Sequence, residues 1–386
     1  MTEVESVEAG RPVLMITAGG LEHGGGIGRM VGYTLGAWTD TTLPPIRVLD
    51  TRGPKFSRWV WPFHLLNCLF QIVRFAPRNP ILHVHLAANS STARKLAVIW
   101  LGRLLRLDYV IHLHDPTYAE FYLGLPDWAR GLVRAMYLRA SRVIALGSPA
   151  KAMISGVIGV PTERIEVVPN AVPGPSCIAP SVTHDEADGP CILFLGQLQQ
   201  RKGVHDLIDA LARPELAAQR WRAILAGGGP EQKRYQEQAK ARGILPRISF
   251  PGWLPRREIE ELLETASILV LPSYAEEMAM SVLEGMAYGL CVVSTPVGAL
   301  AEVLDDGVSA VVVTPGDVDG LAAALSKCVA DPELRRRIGA GARDAYLRRY
   351  NVADYPQRII ATHQRARREL MRSGSTGGLL RSLSRF

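Results

Sequence analysis

The sequence predicts an α/β protein of two doubly wound parallel-sheet domains facing a cleft, and three observations carry that reading. Short, continuous apolar runs rich in β-branched residues alternate with helix-length segments along most of the chain. A proline-rich, aperiodic stretch near the middle breaks the alternation, which then restarts. The chain has 386 residues, more than one ordinary core holds; at roughly 150 residues per domain, two or three domains are expected.

The first half offers six strands: VLMIT (13–17), IRVLD (46–50), ILHVH (81–85), YVIHL (109–113), RVIAL (142–146) and IEVVP (165–169). They are mostly apolar, without a regular polar–apolar alternation, as befits strands covered on both faces. Segments such as STARKLAVIWLGRLLR and DWARGLVRAMYLRA supply the covering helices. Residues 1–172 form the first domain on this reading and 173–190 the linker. The second domain, 191–352, repeats the pattern with CILFLG, RAILAGG, RISFPG, SILVLPS, CVVSTP and SAVVVTP. Residues 353–386 make a C-terminal helix, placed to cross back to the first domain, and a basic tail. Such sheets bind ligands at the carboxyl ends of their strands, so the cleft between the domains is the expected site.

The formal net charge of +7 favours anionic partners, which leaves phosphates, nucleotides, nucleic acid and anionic lipid open. The basic residues are dispersed without an aromatic-basic face, which argues against nucleic acid. Cys68, Cys177, Cys191, Cys291 and Cys328 are widely spread, and no Cys/His cluster has metal-ligand spacing. Reduced thiols in a cytoplasmic protein are the simplest reading. MTEVESVEAGRP has no apolar core, so the N-terminus does not read as a signal peptide. The segment 59–75, WVWPFHLLNCLFQIVRF, is interrupted by polar residues and falls short of the ~20 apolar residues of a membrane span. It reads as an amphipathic segment, packed on the protein or resting on a membrane surface.

Four stretches carry chemistry. TAGGLEHGGGIGRM (17–30) follows the first strand and opens a helix, where glycines let backbone N–H groups approach a phosphate. A dinucleotide-binding protein would use such a loop, with Asp50 on the ribose, but its glycines should follow the strand at once and here the loop is lengthened. HLHDPTYAEFY (112–122) puts His114 at a strand's carboxyl end, to bond a substrate hydroxyl, act in proton transfer or cap the turn with Asp115. His85 is a second candidate of the same kind. FLGQLQQRKGVHDLIDAL (194–211) places Arg201 and Lys202 before a helix, suited to a diphosphate or simply solvated. YAEEMAMSVLEGMAYG (274–289) carries Glu276 and Glu284 in an apolar setting with no cation close in sequence. Carboxylates accept paired hydrogen bonds from vicinal diols, so ligand hydroxyls are their expected partners. The N–H groups of Met280 and Ser281, near the helix start, suit a phosphate.

These residues resemble the signature of the retaining GT-B glycosyltransferases, specifically family 4. GGIG (25–28), the HLHD segment, VVPNAV (167–172), FLG…RKG (194–203) and the two acids seven residues apart follow in that family's order. The resemblance implies two Rossmann-like domains, with a nucleotide-sugar donor held mainly by the second. It implies that Arg201 and Lys202 neutralise the donor diphosphate, Glu284 binds the ribose and Glu276 faces the donor sugar. Met280 and Ser281 would offer N–H groups to the phosphate. Gly26, Ile27 and Gly28 would lie under the diphosphate, and His114 would touch the sugar. His114, Glu276, Arg201 and Lys202 form the catalytic set. The family often has arginine after FLG, where this chain has Gln197.

It further implies retention of anomeric configuration without a metal or cofactor, the nucleotide sugar (UDP- or GDP-linked) being a substrate. Enzymes with this flavour assemble bacterial exopolysaccharide and lipopolysaccharide, on glycan or polyprenyl-diphosphate-linked acceptors at the inner membrane. A cytoplasmic location, peripheral on that membrane, follows. A nucleotide-sugar 2-epimerase, a NAD-dependent oxidoreductase and a non-catalytic sugar-nucleotide binder are the competing readings.

Overall fold

The computed structural model describes residues 10–21, 25–53, 59–177 and 189–366. The tail beyond 366 and the centre of the expected linker, 178–188, lie outside them, as do Glu22, His23 and Gly24 of the glycine loop. The chain divides into two compact units, one of residues 1–169 with 352–386 and the other of residues 170–351.

The first unit holds six parallel strands: β1 (Val13–Thr17), β2 (Ile46–Asp50), β3 (Ile81–Leu86), β4 (Tyr109–Leu113), β5 (Arg142–Ala145) and β6 (Ile165–Val167). They lie in the order β2-β1-β3-β4-β5-β6, so the winding reverses between β1 and β3. One face packs Leu82, Val84, Leu86, Ile111 and Leu113 against the helices Trp61–Phe75, Ser90–Leu104 and Asp127–Leu138. The helix spanning 355–366 belongs to this unit and brings His363 against β3.

The second unit repeats the plan with β7 (Cys191–Leu195), β8 (Arg222–Ala226), β9 (Ile248–Gly252), β10 (Ile268–Leu271), β11 (Cys291–Ser294) and β12 (Val311–Val312). All pairings are again parallel, in the order β12-β11-β10-β7-β8-β9. Its winding reverses between β7 and β10, whose following loops therefore stand side by side at the carboxyl edge.

Two expectations shift. Residues 170–172, expected in the first domain, and 173–175, expected in the linker, belong to the second unit. Val172 bridges to Asn351 and its carbonyl accepts from the Tyr346 hydroxyl, while Arg343 donates to the Pro175 carbonyl at 2.6 Å. The pattern of MAMSVLEGMA puts the helix after β10 near Met278, but it starts at Met280, because the Met278 carbonyl is held in the preceding loop by Asn170. Glu284 is thus little more than one turn into that helix.

Candidate functional site

At the reversal point of the second unit, β7 leads through a short loop into a 3₁₀ turn, Gln200–Lys202, and then the helix Val204–Leu211. Gly203 joins turn to helix at φ 67°, and a Cβ there would stand 2.0 Å from the Pro272 carbonyl oxygen. Only glycine permits both that left-handed conformation and so close an approach of the two loops. β10 leads into residues 272–279 and the helix Met280–Ala287, every residue of which is buried. No side chain caps that helix's N-terminus.

The loop carrying Glu276 is pinned at six successive residues. Thr295 Oγ1 donates to the Ser273 carbonyl (2.6 Å), and the N–H of Tyr274 donates to the Arg201 carbonyl (2.9 Å). The Arg201 guanidinium bonds the Ala275 carbonyl. The N–H of Ala299 donates to the Glu277 carbonyl (2.8 Å), and Asn170 Nδ2 to that of Met278 (3.3 Å). The sixth contact is the Glu276 carboxylate, which is 7% exposed. Its Oε1 lies 2.5 Å from Lys202 Nζ and 3.5 Å from Arg201, and accepts from Ser273 Oγ at 2.8 Å. Behind the loop, Gly298 sits at φ 57°, where a Cβ would stand 1.9 Å from the Glu276 carbonyl oxygen.

Arg201, Lys202 and Glu276 thus form one cluster, so Glu276, expected to meet only ligand hydroxyls, has cationic partners within the chain. Lys202 is 74 positions away along the chain but adjacent in the sheet, because β7 pairs with β10. Glu284 is 3% exposed, in agreement with a residue too enclosed for an open helix face. Met280 and Ser281 occupy the first turn of its helix. Gln197 is exposed, and its side-chain oxygen accepts from Gln199 (3.1 Å).

Other residues escaped the sequence reading. Asn170 is buried and anchors Met278; its signal was the NAV of VVPNAV, to which no role had been attached. The Tyr274 hydroxyl donates to Asp206 Oδ2 at 2.7 Å, a bond that pushes the phenol up to about 12. Its ring stacks on that of His205, the planes 3° apart.

In the first unit, the glycine motif opens the helix Gly25–Ala37. Gly26 is exposed, Ile27 half-buried and Gly28 buried, with a would-be Cβ 2.6 Å from the Gly20 carbonyl. Asp50 is no free ribose acid. Its carboxylate accepts from the N–H groups of Gly19 (2.8 Å), Arg52 (2.8 Å) and Gly53 (3.0 Å). Burial alone would raise its pKa, but these three donors hold it below the usual value. The loop geometry therefore removes the residue on which the dinucleotide reading rested.

His114 follows β4, its N–H donating to the Leu86 carbonyl (2.9 Å) and its Nε2 lying 2.9 Å from His85 Nδ1. Burial lowers its pKa to about 3, against a small opposing pull from Asp115. The imidazole is therefore neutral at physiological pH and a feeble base, which leaves hydrogen bonding rather than proton transfer as its chemistry. Asp115 does not cap the turn with it; that carboxylate instead accepts from Ala88 N (2.9 Å) and from the N–H and hydroxyl of Thr117 (2.9 and 2.7 Å). His85 is buried, joined by His83, His112 and His363 on one sheet face, a grouping that spacing along the chain had not disclosed.

The family model described as Glycosyltransferase Family 4 matches residues 37–173, and that described as Glycosyl transferases group 1 matches residues 181–345. A 2-deoxystreptamine N-acetyl-D-glucosaminyltransferase of Streptomyces fradiae is 27% identical over 305 residues, covering 75% of this chain and 72% of that relative. The lipopolysaccharide core biosynthesis glycosyltransferase LpsE of Rhizobium meliloti is 33% identical over 152 residues, 39% of this chain and 43% of that protein. Among solved structures, Anabaena HepE in complex with UDP and glucose superposes with a TM-score of 0.72 at 21% identity, over 92% of this chain and 100% of that one. That likeness establishes the fold.

Proposed function

The chain belongs to the group 1 and family 4 glycosyltransferases, and we propose that it is a retaining, metal-independent hexosyltransferase. The donor is a UDP- or GDP-sugar. The acceptor is a glycan or polyprenyl-diphosphate-linked glycan of bacterial surface polysaccharide synthesis. The observation that carries this reading is the pinned loop with its Arg201–Lys202–Glu276 cluster beside the uncapped N-terminus of helix Met280–Ala287.

Two cations and free N–H groups at one sheet edge suit a diphosphate leaving group, whose charge grows as the glycosidic bond breaks. Lys202 has three donors, so it can turn one toward phosphate and keep Glu276. Glu276, neutralised by that ammonium, is a poor nucleophile but a good acceptor for donor-sugar hydroxyls. That fits a front-face displacement in which the departing phosphate takes the acceptor's proton and no enzyme nucleophile is used. Glu284, enclosed in the same helix, accepts from the ribose. Met280 and Ser281 donate backbone N–H groups to the phosphate; Gly26, Ile27 and Gly28 offer a backbone surface that a diphosphate can approach. Neutral His114 hydrogen-bonds the transferred sugar. No cofactor takes part, and positive side chains supply what a metal supplies in other transferases.

We place the enzyme in the cytoplasm, peripheral on an anionic membrane. Among the described residues no helix is long and apolar enough to cross a membrane. The helix Trp61–Phe75 buries Cys68 and Ile72 yet leaves Phe63 72% and Phe70 62% exposed, with Leu66 and Val73 between and beyond them. Arg47 and Arg78 stand over the Phe75 ring at 5.0 and 5.4 Å. Apolar side chains with a basic rim match an anionic lipid surface.

A thermal-shift screen against UDP-, GDP- and ADP-sugars tests the donor assignment, because a ligand that binds only the folded chain raises its Tm. One nucleotide series should stabilise wild type and fail to stabilise Lys202→Ala; no response to any sugar nucleotide would overturn the reading. Proton NMR of the product would then give the anomeric configuration. Conversion of donor in the absence of acceptor would point to the 2-epimerase instead.

A further inference from the structure

Five of the chain's nine histidines meet on one face of the first sheet. Side chains alternate along a strand, so His83 and His85 of β3 share a face opposite Leu82, Val84 and Leu86, which belong to the apolar core. β4 is the parallel neighbour, and its register sets His112 directly beside His85. The helix 355–366 closes the face with His363. Placing so many polar rings where apolar ones would pack is costly unless the nitrogens are satisfied.

They do not satisfy one another. His363 Nε2 faces His83 Nδ1 at 3.0 Å, and His83 Nε2 faces His112 Nδ1 at 3.1 Å. A string of three neutral imidazoles with two such bonds carries three N–H groups, so whichever way the bonds run, one terminal N–H is left over. Both ends, His112 Nε2 and His363 Nδ1, are buried without a partner among the described residues, and so is His85 Nε2. The rings of His83, His85 and His112 each bring one nitrogen to within 4.8 Å of the other two. Two donors on one tetrahedral ion stand about 3.3 Å apart for metal–nitrogen bonds of about 2.0–2.1 Å. His83 Nε2 and His112 Nδ1, 3.1 Å apart, would exchange their mutual hydrogen bond for the ion.

We propose that His83, His85 and His112 form a binding site for one divalent transition-metal ion of intermediate softness, zinc being the best match. Imidazole-only ligation favours that class over magnesium or calcium. The site is structural: two paired strands of the first unit supply its three imidazoles, and it shares no residue with the Arg201–Lys202–Glu276 cluster. It does reach His114, whose Nε2 meets His85 Nδ1 at 2.9 Å. Ligation of His85 through its unpartnered Nε2 would place the proton on Nδ1, make His114 Nε2 the acceptor, and fix His114 with its own N–H on Nδ1.

The test uses tag-free full-length chain, stripped with a chelator and titrated with Co²⁺ as a spectroscopic probe. Visible d–d bands of a low-coordinate site should saturate at about one ion per chain, as for a single His₃ site, and bleach on adding Zn²⁺. They should be lost in His85→Gln/His112→Gln. Absence of the bands, or their persistence in that variant, overturns the proposal. Should the double variant not fold, X-ray absorption on zinc-loaded wild type decides: imidazole scattering from about three ligands supports the site, and an oxygen-only shell refutes it.

Discussion

Replacing Lys202 by methionine separates two jobs that the Lys202–Glu276 pair combines. The side chains are 13% and 8% exposed, so the contact is nearly sequestered from water. Removing one partner of a fully buried pair costs about 3–5 kcal/mol, mostly from the charge left behind. Here Arg201 remains 3.5 Å from the carboxylate and the Ser273 hydroxyl still donates, which brings the expected loss to roughly 2 kcal/mol for Lys202→Met. Neutralising the orphan with Lys202→Met/Glu276→Gln should restore most of that stability, to within about 1 kcal/mol of wild type. Turnover should behave otherwise. Loss of a charged donor to the leaving diphosphate should lower kcat by about 10²–10³-fold, and the second substitution should not restore it. Urea melts and initial-rate assays on the four proteins of the cycle measure both quantities, and comparing nucleoside with nucleoside-diphosphate affinity isolates the phosphate contact. A single variant with wild-type turnover, or a double variant that regains it, would show that Lys202 serves only to neutralise Glu276.

Three further outcomes are expected. Gly298→Ala, whose methyl would stand 1.9 Å from the Glu276 carbonyl at φ 57°, should destabilise the second unit by more than about 1 kcal/mol and weaken donor-induced thermal shifts; an unchanged Tm and shift would show that the loop yields freely. Burial lowers the pKa of His83, His85 and His112 well below 6.5 and of His114 and His363 to about 3. The unfolded chain thus takes up these protons first as pH falls below 6.5, and stability should be lost at about 1.4 kcal/mol per pH unit for each titrating ring; a Tm unchanged between pH 7 and 5 would contradict this. Phe63→Ser/Phe70→Ser should cut co-sedimentation with anionic liposomes at least tenfold while leaving Tm near wild type, since each ring contributes about 1.5–3 kcal/mol when buried; equal sedimentation would locate binding elsewhere.

All twelve strands were legible, the buried ones such as β1, β7, β10 and β11 as apolar runs and the partly buried β2, β9 and β12 from their place between helix-length segments. The reversal points were not, since strand order is a long-range property that no local run encodes. The same limit explains the site. Arg201, Lys202, Glu276 and Glu284 were visible as charges in an apolar context, but the ion pair depends on β7 lying beside β10. Asn170, Thr295 and Gly298 were missed because they act through backbone carbonyls of the 272–279 loop, and such contacts leave no charge or periodicity in the sequence. The histidine cluster was missed because the spacing rule for metal ligands assumes ligands on one turn or helix, whereas these come from two paired strands.

The two glutamates of YAEEMAMSVLEGMAYG are unequal for a reason that lies in their mounting. Glu276 sits on a loop pinned by six contacts, and its carboxylate is tied to cations that a diphosphate would recruit. Donor binding and the state of Glu276 are therefore coupled: each donor of Lys202 given to phosphate leaves the carboxylate freer to accept from a sugar hydroxyl. Glu284 is mounted differently, inside a helix whose every residue is buried. A ribose contact there should be insensitive to whether the nucleotide carries its sugar. Glu284→Gln should weaken nucleoside diphosphate and nucleotide sugar by the same factor, whereas Glu276→Gln should weaken only the nucleotide sugar. Calorimetric titration of both ligands into both variants measures the four ratios, and equal losses in Glu276→Gln would remove the sugar from that carboxylate.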